Sequence, residues 1–193
     1  QLETTTAEAA AVAATAAAVT APHENGAAAS ELAAGAEERR DEIAALAAAL
    51  AAAEAQLRGN DVFGNAKSGL HLRGGACPLV EGNVLREGRA AGVLVSEGAC
   101  GVLRGNTLKA HAKTELQVCD PNSAPLVEAN TISDSLAGGV LVMRGAAPLL
   151  RKNTIHSNCS ANVRLAERCV ARLEDNTIRD GKDCGVALCA GTT

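Results

Sequence analysis

Acidic side chains are the first place to look for reactivity in this sequence. Asp180 and Asp183 sit in Arg179-Asp180-Gly181-Lys182-Asp183, and Asp120 sits in Cys119-Asp120-Pro121-Asn122. Two carboxylates at a set separation cleave glycosidic bonds, and an acidic Ca²⁺ cluster beside a basic residue allows proton abstraction from a sugar. Neither arrangement emerges once the chain is aligned on its internal repeat. The equivalents of Asp180 one and two repeats back are Ser157 and Asp134, and Asp120 faces Ser96 and Arg144. Asp134 would stand about 10 Å from Asp180. Turn chemistry accounts for these acids better, because Asp and Asn bond their own backbone.

The histidines and cysteines are scattered in the same way. His71 takes an outward strand position, while His111 and His156 fall in turns of nonadjacent repeats. Each is read as a solvated surface residue, and neither a metal site nor a cofactor is expected. The seven cysteines form no Cys-x-x-Cys pair, which argues against a zinc ribbon or a thioredoxin-like site. Cys77 and Cys100 occupy the same place in consecutive repeats. They are read as stacked small apolar residues in preference to a bridge, which an oxidising setting would favour. Dispersed thiols point to a reducing compartment, cytoplasmic or nuclear.

The elements that carry these side chains follow from an internal period. Asn-x-aliphatic triplets begin at Asn60, Asn83, Asn106, Asn130, Asn153 and Asn176, in steps of 23, 23, 24, 23 and 23 residues. A second series, Leu70, Val93, Leu116, Val140, Val163 and Val186, keeps the same phase, and four of its members follow Gly69, Gly92, Gly139 and Gly185. A third series, Leu57, Val80, Leu103, Val127, Leu150 and Leu173, stands three residues before each Asn. Runs such as Val93-Leu94-Val95 alternate with period two, and Gly, Asn, Asp and Ser separate them. No repeat holds a stretch of helical periodicity long enough for leucine-rich, ankyrin or tetratricopeptide units.

The fold class expected is therefore all-β: a right-handed parallel β-helix of about six 23-residue rungs, preceded by an Ala-rich α-helical N-terminal segment. Six rungs make a rod of roughly 29 Å. The Asn residues turn the chain and can bond side-chain amides along the stack, while the second series should point inward, together with Leu72, Val95, Val118, Val142, Leu165 and Leu188. So should Val62, Leu85, Leu108, Ile132, Ile155 and Ile178. A core with Phe63 as its one available aromatic must be narrow. Two residues before the Asn series stand Arg58, Glu81, Arg104, Glu128, Arg151 and Glu174, alternating in sign at every rung. Opposite charges one rung apart attract, and a one-rung slip would set like over like.

An outward ladder remains: His71, Leu94, Gln117, Leu141, Arg164 and Ala187. Leu94 and Leu141 give it an apolar centre, and His71, Gln117 and Arg164 give it a polar rim, the pattern of a partner-binding surface. Catalysis is the less expected role, since sugar sites usually offer aromatic platforms.

The stretches PLVEGNVLREGRAAGVLVSEGACGVLRGNTL (Pro78 to Leu108) and PLLRKNTIHSN (Pro148 to Asn158) carry a family likeness. The region from residue 57 to 193 resembles the β-helix repeats of F-box-only ubiquitin-ligase subunits and related carbohydrate-binding/sugar-hydrolase-type repeat proteins. That resemblance implies recognition of a protein destined for ubiquitination. Residues 1–56 show no Leu-Pro-containing, aromatic-bearing helix set like an F-box, so a noncatalytic recognition or scaffold module is the reading. The alternatives are a polysaccharide lyase, glycoside hydrolase or uronate epimerase, and a structural assembly subunit.

Three regions follow: an Ala/Thr-rich segment 1–26, disordered or helical; an amphipathic capping helix 27–56; and the β-helix 57–193. Ile43, Leu46, Leu50, Ala53 and Leu57 form one helical stripe, suited to capping the first rung or, less readily, to coiled-coil dimerisation. After Leu188 five residues remain, so truncation or a covering partner is expected there, as is end-to-end association. The chain opens on Gln1, which reads as a fragment or a processed product. A net charge of -4 offers no footprint for nucleic acid. The Ala7 to Val19 stretch is too short and weakly apolar to span a membrane and lacks the basic start of a secretory signal.

Overall fold

The structure, a computed structural model, describes residues 55–189 and 191. The expected segments 1–26 and most of 27–56 lie outside the described residues. Eighteen strands of three or four residues run through the described chain. They form three six-stranded sheets, and every pairing is parallel. The first sheet is built from Gln56–Arg58, Leu79–Glu81, Val102–Arg104, Leu126–Glu128, Leu149–Arg151 and Arg172–Glu174. Asp61–Phe63, Val84–Arg86, Thr107–Lys109, Thr131–Ser133, Thr154–His156 and Thr177–Arg179 make the second sheet. Leu70–Leu72, Val93–Val95, Leu116–Cys119, Val140–Met143, Val163–Leu165 and Val186–Leu188 make the third. Each rung contributes one strand to every sheet, so the chain coils as a three-sided solenoid of six turns.

Such short strands suffice because each is flanked by its equivalents one turn away. Where the chain leaves the second sheet, it takes a left-handed backbone at Glu87, Ala110, Asp134, Ser157 and Asp180, with φ between 53° and 60°. Five non-glycine residues accept that conformation at the same corner, and Asp134 and Asp180 are two of them. Turn geometry thus accounts for both acids. Between the first and second sheets lies the Asn series. Asn83 donates Nδ2 to Asn106 Oδ1 at 3.0 Å and to the Leu57 carbonyl at 2.8 Å, and its backbone N–H reaches the same Oδ1 at 2.9 Å. The pattern repeats at Asn106, Asn130 and Asn153. Those four are buried, and their carboxamides form a ladder along the stack.

The core is the meeting of three inward columns. Val80, Leu103, Val127 and Leu150 from the first sheet meet Leu85, Leu108, Ile132 and Ile155 from the second. Val93, Val95, Leu116, Val118, Val140, Val142, Val163 and Leu165 close it from the third. Fully burying side chains of this size is worth roughly 1.5–3 kcal/mol each. Phe63 stays outside, 56% exposed, with the Arg86 guanidinium 4.2 Å from its ring centre. Val62, Leu70 and Ile178, on the end rungs, are only partly buried, and two side chains expected inward are exposed: Val186 at 43% and Leu188 at 69%. They keep their register, but among the described residues no further rung lies beyond theirs to cover them.

The one 24-residue step has a local cause. Val95 pairs with Val118, whereas Val102 pairs with Leu126, so the extra residue falls in the intervening turn. Asp120 and Asn122, at φ 76° and 65°, absorb it. Downstream pairing resumes in phase, and the Arg/Glu column is continuous in register from Arg58 to Glu174. Ion pairs join Arg58 to Glu81 at 3.3 Å, and Glu128 to both Arg104 at 2.9 Å and Arg151 at 2.8 Å. Glu174 turns instead to Arg172 of its own strand, at 2.7 Å.

Candidate partner-binding face

The outward residues of the third sheet are in consecutive register: His71 opposite Leu94, then Gln117, Leu141, Arg164 and Ala187. They sit at the centres of strands whose flanking residues face the core, so strand alternation points them out. Leu94, Gln117 and Leu141 are half-buried, while His71 and Arg164 are exposed. A second outward column lies two residues on, and the two columns are laced diagonally. His71 Nε2 lies 2.9 Å from Ser96 Oγ, Gln117 Nε2 4.0 Å from Met143 Sδ, and Arg164 Nε 3.3 Å from Cys189 Sγ. Beside Leu141 the surface sinks into a groove of about 320 Å³. Leu141, Met143, Ala161 and Ala166 line its apolar part, and Arg164 and Glu167 its charged part. The structure thus aligns all five predicted residues, and the groove draws in two of them, Leu141 and Arg164.

A family model described as "Right handed beta helix region" matches residues 51–193. The chain belongs to the right-handed β-helix family. No curated protein and no solved structure matches it.

In this right-handed β-helix two of the acidic candidates, Asp120 and Asp180, are tied to neighbouring basic groups. Asp120 accepts a hydrogen bond from Arg144 Nε at 2.8 Å, and Asp180 pairs with the adjacent Arg179. The residue opposite Asp120 on the preceding rung is Glu97, not Ser96, and its backbone N–H donates to Asp120 Oδ2 at 3.3 Å. Sequence alignment missed this by one position, because the in-phase pairing of Val95 with Val118 carries on through the turn. Burial pushes the neighbouring Cys119 thiol up from its ordinary pKa, and the Asp120 charge adds to the shift. Among the described residues, no three or more His, Cys, Asp or Glu side chains gather closely enough to hold a metal ion.

Three readings of particular residues need correction. His111 is not a solvated surface histidine: both it and Glu115 are fully buried. His111 Nδ1 lies 2.5 Å from Glu115 Oε2, and the His111 backbone N–H donates to Oε1 at 2.9 Å. The other ring nitrogen, Nε2, is buried with no hydrogen-bond partner. A signal for this was present in the glycine series. Its two breaks are Glu115 and Asn162, each four residues after another polar residue, His111 or Asn158. Asn158 Nδ2 donates to Asn162 Oδ1 at 2.8 Å. Adjacent rungs leave room by using glycine. A Cβ on Gly88 would stand 2.8 Å from the His111 ring, and one on Gly139 would stand 2.7 Å from Asn158 Nδ2.

The second correction concerns Cys77 and Cys100, which are joined as a disulfide and not merely stacked. In-register stacking brings their Cα atoms to 4.6 Å, inside the span a disulfide bridges, so rung contact and bridge are compatible. His156 ends a strand instead of lying in a turn, and its Nδ1 is 3.0 Å from Ser157 Oγ.

Proposed function

We propose that this solenoid is a noncatalytic recognition module that holds an extended protein segment against the outward face of its third sheet. The observation that supports this most is the groove at Leu141. It offers an apolar floor from Leu141, Met143 and Ala166, with a cation, Arg164, and an anion, Glu167, at its margin. A segment that fits would seat one aliphatic side chain on the floor and set an acidic residue against Arg164. The flat ladder through Gln117, Leu94 and His71 extends that contact along the stack. Asp120 and Asp180 are already engaged by arginines, which favours recognition over sugar chemistry. The likeness of the repeats to F-box-only subunits supports one further reading, that the bound segment belongs to a protein passed on for ubiquitination.

Peptides selected from a random display library on the full chain test this proposal. Binding of the selected peptides should fall at least about tenfold, or 1.4 kcal/mol, in Leu94→Asp/Leu141→Asp protein. It should be unchanged in Thr131→Asp, which alters the second sheet. Equal affinity for all three proteins would sink the proposal.

A further inference from the structure

The corner that ends in Cys77 is the barest of its kind among the described residues. Arg73, Gly74, Gly75, Ala76 and Cys77 lead from the third sheet to the first, and all five are exposed. Their counterparts one rung on, from Ser96 to Cys100, are buried or half-buried apart from Glu97. Gly74 and Gly75 hold left-handed backbone, at φ 61° and 73°, with open space around both. Two backbone hydrogen bonds tie this corner to the second rung. The Gly75 N–H donates to the Glu97 carbonyl at 3.1 Å, and the Cys100 N–H donates to the Ala76 carbonyl at 3.0 Å. The third tie is the disulfide.

The bridge stands where support from neighbours is least. Strands of the first rung lie at the ends of all three sheets, paired on one side only among the described residues. Ala124, Ala147 and Val170 take the place of Cys100 in the next three rungs, which are flanked on both sides. Cys119, Cys159, Cys169 and Cys184 are free thiols, and Cys119 and Cys169 are buried. The fold thus packs reduced sulfur inside while placing a bridged pair at its surface, with Cys77 exposed and Cys100 half-buried. A disulfide so placed is open to thiol exchange. Leu57, Leu72 and four residues of the corner, from Gly75 to Pro78, line a hollow of about 480 Å³. We propose that Cys77–Cys100 is a redox latch, opened by a dithiol, that holds this corner against the hollow.

The exchange balances with the dithiol as reductant. One of its thiolates attacks Cys77 Sγ, the bond between the two cysteine sulfurs breaks, and Cys100 leaves as a thiolate that takes up a proton. The second sulfur of the dithiol then displaces Cys77, which is protonated in turn. Two electrons pass to the cysteines, and the dithiol ends as a disulfide. The corner keeps its two hydrogen bonds and its glycine pair, so it opens locally and gives solvent access to Leu57 and Leu72.

Hydrogen exchange of the full chain, read by mass spectrometry, tests the latch. Dithiothreitol should open the bridge without denaturant, and peptides covering residues 73–79 should then exchange severalfold faster. Peptides covering the third-sheet strands Leu116–Cys119 and Val140–Met143 should keep their rates. Cys77→Ala/Cys100→Ala sets in the first two rungs the residue that Ala124 and Ala147 supply in the next two. It should exchange like the reduced protein, with or without dithiothreitol. The two redox states of the unaltered chain decide the matter alone if that variant does not fold. A bridge that opens only on unfolding would make the disulfide a fixed staple and overturn the latch. Equal exchange in both redox states would overturn it as well, as would Cys77 and Cys100 found unbridged after treatment with glutathione disulfide.

Discussion

Removing one end of the His111–Glu115 pair leaves the other buried without its partner. Glu115→Ala should therefore cost about 3–5 kcal/mol in urea denaturation. The next rung carries Ser135 and Gly139 at these two places, so His111→Ser/Glu115→Gly takes both groups out together. That double variant should be more stable than Glu115→Ala, because no orphan remains. A double variant that lost the full sum of its parts would show the pair to be uncoupled. Asp61 offers a test by titration. Its carboxylate accepts two hydrogen bonds from Arg86, at 3.0 and 2.9 Å, and this holds its pKa below the ordinary value. A lowered folded-state pKa means that the stabilisation is present above the unfolded-state pKa and is lost as pH falls through the folded one. Arg86→Met should return the Asp61 carboxyl resonance midpoint upward to the usual carboxylate range. A midpoint that did not move would remove Arg86 as the cause.

Along each corner of the solenoid, elements are joined by side chains as well as by strand hydrogen bonds. Asn106 shows what the Asn ladder contributes. Its Oδ1 receives the Asn83 backbone N–H and Nδ2, and its own Nδ2 reaches the Val80 carbonyl at 2.9 Å. Asn106→Ala leaves those buried groups unmet and should cost about 3 kcal/mol by thermal or chemical unfolding. Asn60→Ala, at the exposed first rung, should cost under about 1 kcal/mol. Equal losses at the two positions would mean that burial does not set the ladder's worth. The triplet spacing made this column legible in the sequence, because every copy needs the same corner. The neighbouring break at Glu115 was not legible in the same way. A glycine series with two exceptions becomes informative only once the space above and below each exception is known.

For the molecule as a whole, register is the property most exposed to error, since each strand could pair with any equivalent rung. Glu128, bonded to both Arg104 and Arg151, is the best place to perturb it. Glu128→Arg sets three guanidinium groups on consecutive rungs and should lower stability by about 1–2 kcal/mol, with more aggregation. Added salt should restore part of the loss by screening. An unchanged melting temperature and aggregation onset would retire the register role of the charge column.

The sequence by itself determined the coil of six rungs, the three inward columns, the alternating charges and the outward ladder from His71 to Arg164. All of these repeat at fixed separation, and a repeating chain has few ways to stack its apolar residues against one another. Only the tertiary structure decided that His111 and Glu115 are buried, that Cys77 and Cys100 are bridged and that Asp120 faces Glu97. These features depend on where one extra residue is absorbed, on room left by glycines a rung away and on how closely stacked side chains meet, and none of the three is encoded in periodicity.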